Sequence, residues 1–349
     1  METVFINKLK PLLDAVAEQM ALLLPKKTGE HYIYSRYDPS AEMPVEFNNI
    51  RPCTPIKEFL LPVCELAATS PEPLKPEDVK PFAIFGLKDC DLRSIEILDK
   101  VFADEEFRDP FYVKRRENMF IISSDCFEVG RNCFCNLFGG RPFAQSGFDL
   151  NVSKVKDGFI IEAGSQKGRD FIEKHPQLFT ETSEALLAER DENRTWAQKQ
   201  LEQNNAEYQL DAPTKEIVEN SQDSEIFDVE ARNCVECQAC TRICPTCHCF
   251  YLYDTKQKDY FAKMKMWDSC MRSAYAAVAG GANPRKVLGD RIKHRLMHKF
   301  VYFLDRYGID MCVGCGRCMD TCAGGMDTRV VLKKLSEELK DKKETKVAK

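Results

Sequence analysis

The sequence predicts an α+β protein with a mixed α/β N-terminal domain over residues 1–220, a helical, cysteine-dense domain over 221–330 and a charged C-terminal helix or tail over 331–349. Three observations carry this. Short apolar runs alternate with helix-period segments in the first half. Residues 201–230 hold nine Asp or Glu against the single Lys215, a shift in composition that reads as a solvated linker. The remainder concentrates cysteines and shows helical composition with little β signal from about Tyr251 to Arg306.

Each element follows in order. Phe5, Leu9, Leu12, Leu13, Val16, Met20 and Leu23 recur at spacings of three and four, which predicts one amphipathic helix. Phe82 to Phe85 and Phe120 to Ile122 are apolar runs bounded by Gly, Asp or Ser and read as buried strands, with a helix between them marked by Ile95, Ile97, Leu98 and Phe102. Asp157-Gly158 between alternating apolar residues predicts a hairpin over Phe148 to Ala163. Lys333 to Lys349 reads as a short amphipathic helix running into a lysine-rich, frayed tail.

Composition narrows the function. The 349 residues, 44% hydrophobic, suffice for two domains with real cores. A net charge of -5 argues against a nucleic-acid partner, which calls for an excess of Lys and Arg. No run of 18 apolar residues occurs, and Glu2, Lys8, Lys10, Asp14 and Glu18 interrupt the place of a signal peptide, so a cytoplasmic protein without direct membrane insertion is expected. In a reducing compartment 17 cysteines read as metal ligands rather than disulfides.

Cys234, Cys237, Cys240 and Cys244, followed by Pro245, form C-x2-C-x2-C-x3-C-P, and Cys312, Cys315, Cys318 and Cys322 repeat the spacing. Two residues between thiols let a tight loop wrap three corners of a cubane, while the fourth thiol, a helical turn away, points elsewhere. In two-cluster ferredoxins that fourth thiol serves the other cluster. The expectation is therefore two [4Fe-4S] clusters, one held by Cys234, Cys237, Cys240 and Cys322, the other by Cys312, Cys315, Cys318 and Cys244. Zinc also takes four thiolates, but two runs in ferredoxin order disfavour it. Ala323 stands where the second run would carry Pro, and Gly324-Gly325 can supply the turn. The 67 residues between Cys244 and Cys312 suit an α-helical ferredoxin-like dicluster domain. There Arg285, Lys286, Arg291, Lys293, Arg295 and Lys299 face only Asp290 in the sequence, and read either as a positive wall that raises cluster potentials or as a solvated or docking face.

Nine cysteines remain. Cys126, Cys133 and Cys135 follow one expected strand and Cys90 another, which places a third Fe-S cluster on strand-end loops, with Cys53 as an alternative fourth ligand and simple buried packing as the competing reading. Cys247 and Cys249, with His248 between them, could line the third cluster or serve a bridging site and are read as surroundings of the clusters, while Cys64 and Cys270 are assigned no role. No G-x-G-x-x-G, G-x-x-x-x-G-K-[ST] or H-E-x-x-H occurs, so no catalytic residue is assigned.

An ordered set of segments carries a family resemblance. It runs from Gly86-Leu87-Lys88-Asp89-Cys90-Asp91-Leu92 through Asp109-Pro110-Phe111-Tyr112, Arg115-Arg116 and Asn132-Cys133-Phe134-Cys135. It continues through Cys244-Pro245-Thr246-Cys247-His248-Cys249-Phe250, Trp267-Asp268-Ser269-Cys270, Ala279-Gly280-Gly281 and His298-Lys299-Phe300. Over about residues 80–325 the chain resembles the iron–sulfur β subunits of soluble hydrogenases (sulfhydrogenases) and the A subunit of anaerobic sulfite reductase. The resemblance implies a relay subunit in a hetero-oligomer, passing electrons between an NAD(P)H-linked flavoprotein and a catalytic redox subunit, be it a hydrogenase, a sulfite reductase or a similar reductase. Two other classes compete: an Fe-S redox sensor or assembly scaffold, and an enzyme with a site-differentiated cluster on Cys90, Cys126, Cys133 and Cys135.

Overall fold

The computed structural model describes residues 2–40 and 47–347. Its strands in chain order are β1 (Thr3–Ile6), β2 (Ala21–Thr28), β3 (His31–Arg36), β4 (Cys64–Ser70), β5 (Phe82–Leu87), β6 (Met119–Ser124), β7 (Leu150–Val155), β8 (Gly158–Ala163), β9 (Thr180–Glu181), β10 (Phe250–Lys256) and β11 (Phe261–Trp267). Seven helices are named: α1 (Leu9–Ala17), α2 (Asp89–Phe102), α3 (Pro110–Asn118), α4 (Gln166–Lys174), α5 (Glu184–Asn204), α6 (Leu288–Met297) and α7 (Thr328–Val347). Two compact units result, Met1–Leu61 with Lys75–Gln203, and Pro62–Leu74 with Asn204–Lys349.

The first unit is built on an eight-stranded sheet in the order β3-β2-β5-β6-β7-β8-β1-β9. β2, β5, β6 and β7 run parallel, with Ile84 opposite Ile121. Both are buried, as apolar strands covered on two faces must be. The single N-terminal helix expected from the apolar stripe is divided. Phe5 pairs with Ile160 in β1 and Leu23 with Ile84 in β2, leaving Leu9, Leu12, Leu13 and Val16 as the buried face of α1. Strand pairing here outweighs local periodicity. The hairpin at Asp157-Gly158 is present, joining β7 to β8 with Val155 opposite Gly158, and α2 covers the helix expected between the first two strands.

The parallel strands matter for what they carry at their carboxyl ends, where open α/β sheets build sites. Leu87 of β5 lies opposite Ser123 of β6, so Lys88, Asp89 and Cys90 leave the sheet beside Asp125 and Cys126. A buried polar group braces this edge. Arg194 of α5 bonds Asp125 at 2.7 Å and Glu162 at 2.5 Å, and Asn151 Nδ2 donates to Asp125 at 3.0 Å.

In the second unit the acid-rich stretch is not a free linker. Ile217, Val218 and Phe227 are buried on the short helices Thr214–Glu219 and Ile226–Ala231, while their acids face outward. The expectation of little β structure after Tyr251 is corrected too, since β10, β11 and β4 form a three-stranded antiparallel sheet. β10 is exposed on both faces along most of its length, so it lacks the inward/outward alternation by which a strand is recognised. Only its run of Phe250, Tyr251, Leu252 and Tyr253 signals it. At the end of the chain α7 is one continuous helix anchored by buried Val331, Leu332, Leu335 and Leu339.

Candidate functional site: two thiol loops around a buried cationic helix

The two cysteine motifs of the second unit share one backbone shape. In the first, Glu236 and Gln238 on either side of Cys237 have φ of 55° and 63°; in the second, Gly314 and Gly316 flank Cys315 with φ of 64° and 77°. Left-handed backbone is easy for Gly and costs other residues roughly 1 kcal/mol each. That Glu and Gln adopt it at matching positions indicates a loop shape held by its surroundings. Each loop then enters a short helix, Ala239–Arg242 or Arg317–Asp320, which displaces the fourth thiol from the first three.

Thiols of the two motifs approach one another. A small cavity of about 30 Å³ is lined by Cys234, Cys240, Cys318, Cys322 and Arg295, which brings both Cys318 and Cys322 of the second motif to the first loop. Gly324 fixes the approach, since a Cβ there would stand 2.1 Å from the Asn233 carbonyl oxygen. Gly325, with φ of 69°, closes a turn by donating its N–H to the Cys322 carbonyl at 3.0 Å; the glycine pair does the work of the missing Pro. Cys244 lies at the second loop, where its charge and that of Cys318 act on Cys312. Burial pushes the Cys312 thiol up to about 12, against the pull of Lys299. Burial likewise raises Cys240, opposed by Arg295.

The six basic residues singled out between Arg285 and Lys299 separate into different roles. Arg291 is buried but bonds Glu236 at 2.7 Å and two carbonyls, a counter-charge not visible from the local sequence. Lys293 pairs with Asp290 at 3.3 Å, Lys286 is exposed and Arg285 half-buried. Only Arg295 and Lys299 are buried against thiols, at 5% and 2% exposure. Burial alone would lower both, but the neighbouring cysteines hold them above their ordinary values, Cys240 and Cys318 acting on Arg295, Cys244 and Cys247 on Lys299.

In the first unit Cys126, Cys133 and Cys135 come together. Burial raises Cys126 to about 12, and the nearby Cys133 adds to it; Cys135 is raised by burial and by Cys133 and Cys126. Cys90 meets this group through Lys88, a fully buried lysine whose charge lies near Cys126 and Cys90. Its ammonium donates to Asn48 O at 2.5 Å, Ser124 Oγ at 2.8 Å and Asp125 O at 2.8 Å. Asp89, unsuspected from sequence, also acts on Cys126 and Cys135, and burial pushes its carboxyl up to about 6. Cys53 is half-buried, its N–H donating to Tyr32 O at 2.7 Å.

Among the described residues no three His, Cys, Asp or Glu side chains converge on a point that would hold a single metal ion. Of the remaining cysteines, Cys247 lies against Cys244, and Cys270 against Cys249. His248, His294 and His298 pack ring to ring, with centroids 5.8 and 6.2 Å apart. No described helix is long and apolar enough to cross a membrane.

Comparison with known proteins agrees with this geometry. Residues 233–326 match the family model of a 4Fe-4S dicluster domain. Sulfhydrogenase 2 subunit beta of Pyrococcus furiosus is 34% identical over 263 residues, 74% of this chain and 75% of that protein. The chain belongs to the family of sulfhydrogenase iron–sulfur β subunits.

Proposed function

We propose that this chain is the electron-relay subunit of an anaerobic redox complex, carrying one [4Fe-4S] cluster on Cys234, Cys237, Cys240 and Cys322 and a second on Cys312, Cys315, Cys318 and Cys244. The observation that supports the reading is the approach of the two loops, with Cys322 and Cys318 sharing a cavity with Cys234 and Cys240 and Cys244 acting on Cys312. The eight side chains suit the group, since [4Fe-4S] clusters are held by four cysteine thiolates. When bound, such clusters supply one-electron transfer at potentials set by charge, hydrogen bonds and solvent exposure. The protein's own contribution is to hold the thiols on stiff left-handed loops, so that charge changes with little movement, and to bury two cations beside them.

The partners we assign are an NAD(P)H-linked flavoprotein on one side and a catalytic redox subunit on the other, in a cytoplasmic complex. A third Fe-S cluster on Cys126, Cys133, Cys135 and Cys90 would extend the path into the first unit, supported by the proximity of the first three thiols. Anaerobic purification of the native complex tests the function. The account expects a flavoprotein and a catalytic subunit to co-purify, and NAD(P)H to bleach the Fe-S absorption of the complex. A chain isolated without redox partners, or clusters that NAD(P)H leaves oxidised in the intact complex, would overturn it.

A further inference from the structure

Arg295 and Lys299 stand four residues apart, one near the end of α6 and the other in the π-helical turn His298–Tyr302 that continues it. Such turns insert one residue into the helical register and recur at functional sites. Here the turn presents Lys299 to Cys244, with Nζ to Sγ at 3.4 Å and Nζ to Thr246 Oγ1 at 3.0 Å. Its carbonyl accepts from Met311 N at 2.9 Å, which ties the residue preceding Cys312 to the same turn. Arg295 lines the cavity of Cys234, Cys240, Cys318 and Cys322, and its Nε has no hydrogen-bond partner.

Neither cation has an ion-pair carboxylate among the described residues, whereas Arg291, one turn before Arg295, does. A buried charge without a partner costs several kcal/mol, so something negative must compensate these two. The groups facing them are cysteines: Cys240, Cys318, Cys247 and Cys244 around Arg295, and Cys244, Cys247 and Cys312 around Lys299. A fixed positive charge in a low-dielectric interior makes an added electron nearby less costly, and so raises the reduction potential.

We propose that Arg295 and Lys299 are separate potential-setting residues, Arg295 for the cluster of Cys234, Cys237, Cys240 and Cys322, and Lys299 for the cluster of Cys312, Cys315, Cys318 and Cys244. The proposal rests on the dicluster reading above. Lys299 faces ligands of the second cluster, Cys244 and Cys312, whereas Arg295 shares its cavity with Cys234, Cys240 and Cys322 of the first and with Cys318 of the second, so its effect falls mainly, not solely, on the first.

The test is a redox titration of the anaerobically reconstituted full chain, followed by electron paramagnetic resonance, for Lys299→Met, Arg295→Met and the charge-keeping Lys299→Arg and Arg295→Lys. Removing either charge lowers the reduction equilibrium of its own cluster at least tenfold, about 59 mV for one electron, and moves the other much less. The charge-keeping variants stay near wild type. Unmoved potentials, or equal shifts of both clusters from either variant, overturn the proposal. Where a Met variant takes up no iron, the charge-keeping variant decides: full loading at a wild-type potential supports the assignment, and a tenfold drop with charge retained refutes it. A wild-type chain that holds no clusters contradicts the dicluster reading instead, before any variant is compared.

Discussion

Lys299 Nζ lies 3.4 Å from Cys244 Sγ. Cys244 belongs in sequence to the first motif, yet Lys299 and Cys244 both act electrostatically on Cys312 of the second. The contact therefore brings the fourth thiol of one motif near the first thiol of the other.

Single-thiol variants test the proposed exchange of fourth thiols between the motifs. Cys244→Ser is expected to damage the cluster of Cys312, Cys315 and Cys318, and Cys322→Ser that of Cys234, Cys237 and Cys240, each leaving the other spectrum intact. Electron paramagnetic resonance reads this directly. Loss of the same signal in Cys244→Ser and Cys237→Ser would mean that each motif serves its own cluster.

The thiols of the first unit make a separable prediction. With a third cluster present, replacing Cys126, Cys133 and Cys135 together by Ser in the full chain lowers bound iron by about four atoms and leaves the signals of the other two clusters unchanged. Iron content equal to wild type would leave these cysteines as packing residues.

Arg194 braces the sheet edge from which Cys126 departs. Its guanidinium meets Asp125 and Glu162, and all three side chains are at most 13% exposed. Arg194→Ala leaves Asp125 without its ion-pair cation, while Glu162 keeps Arg190 at 3.1 Å, and is expected to cost about 3 kcal/mol. Denaturant unfolding of wild type and variant measures it, and a loss under about 1 kcal/mol would show the group to be solvated.

The histidine stack gives a pH dependence. Burial, together with the charges of His248 and Lys299, lowers His298 to about 3, and burial with Arg285 lowers His294 to about 4. Folded values below the ordinary 6.5 mean that the unfolded chain binds more protons there. The stability contribution is full above about pH 6.5 and is lost as pH falls toward the folded values. His298→Gln should flatten the decline between pH 7.5 and 5.5 in denaturant unfolding. A variant curve parallel to wild type would contradict the buried neutral state.

Much of this architecture is legible in the sequence because thiol spacing is a local property. The C-x2-C-x2-C-x3-C runs mark both loops, and Asp157-Gly158 marks its hairpin. What escapes depends on contacts between distant segments. The neutralisation of Arg291 by Glu236 joins residues 55 apart. The division of the N-terminal stripe is imposed by the partners of β1 and β2 in the sheet. The short helices of the acid-rich stretch bury too few apolar residues to stand out against their charge. Lys299 could be read as basic, but its place beside Cys244 follows from a π-turn that no local pattern announces.

The most direct test of the central claim is the iron and acid-labile sulfide content of the anaerobically reconstituted chain, measured together with its reduced electron paramagnetic resonance spectrum. The account predicts about eight of each per chain, or about twelve with the third site filled, and two distinguishable [4Fe-4S] signals. Four or fewer iron atoms per chain after full reconstitution, or zinc in place of iron, would contradict it.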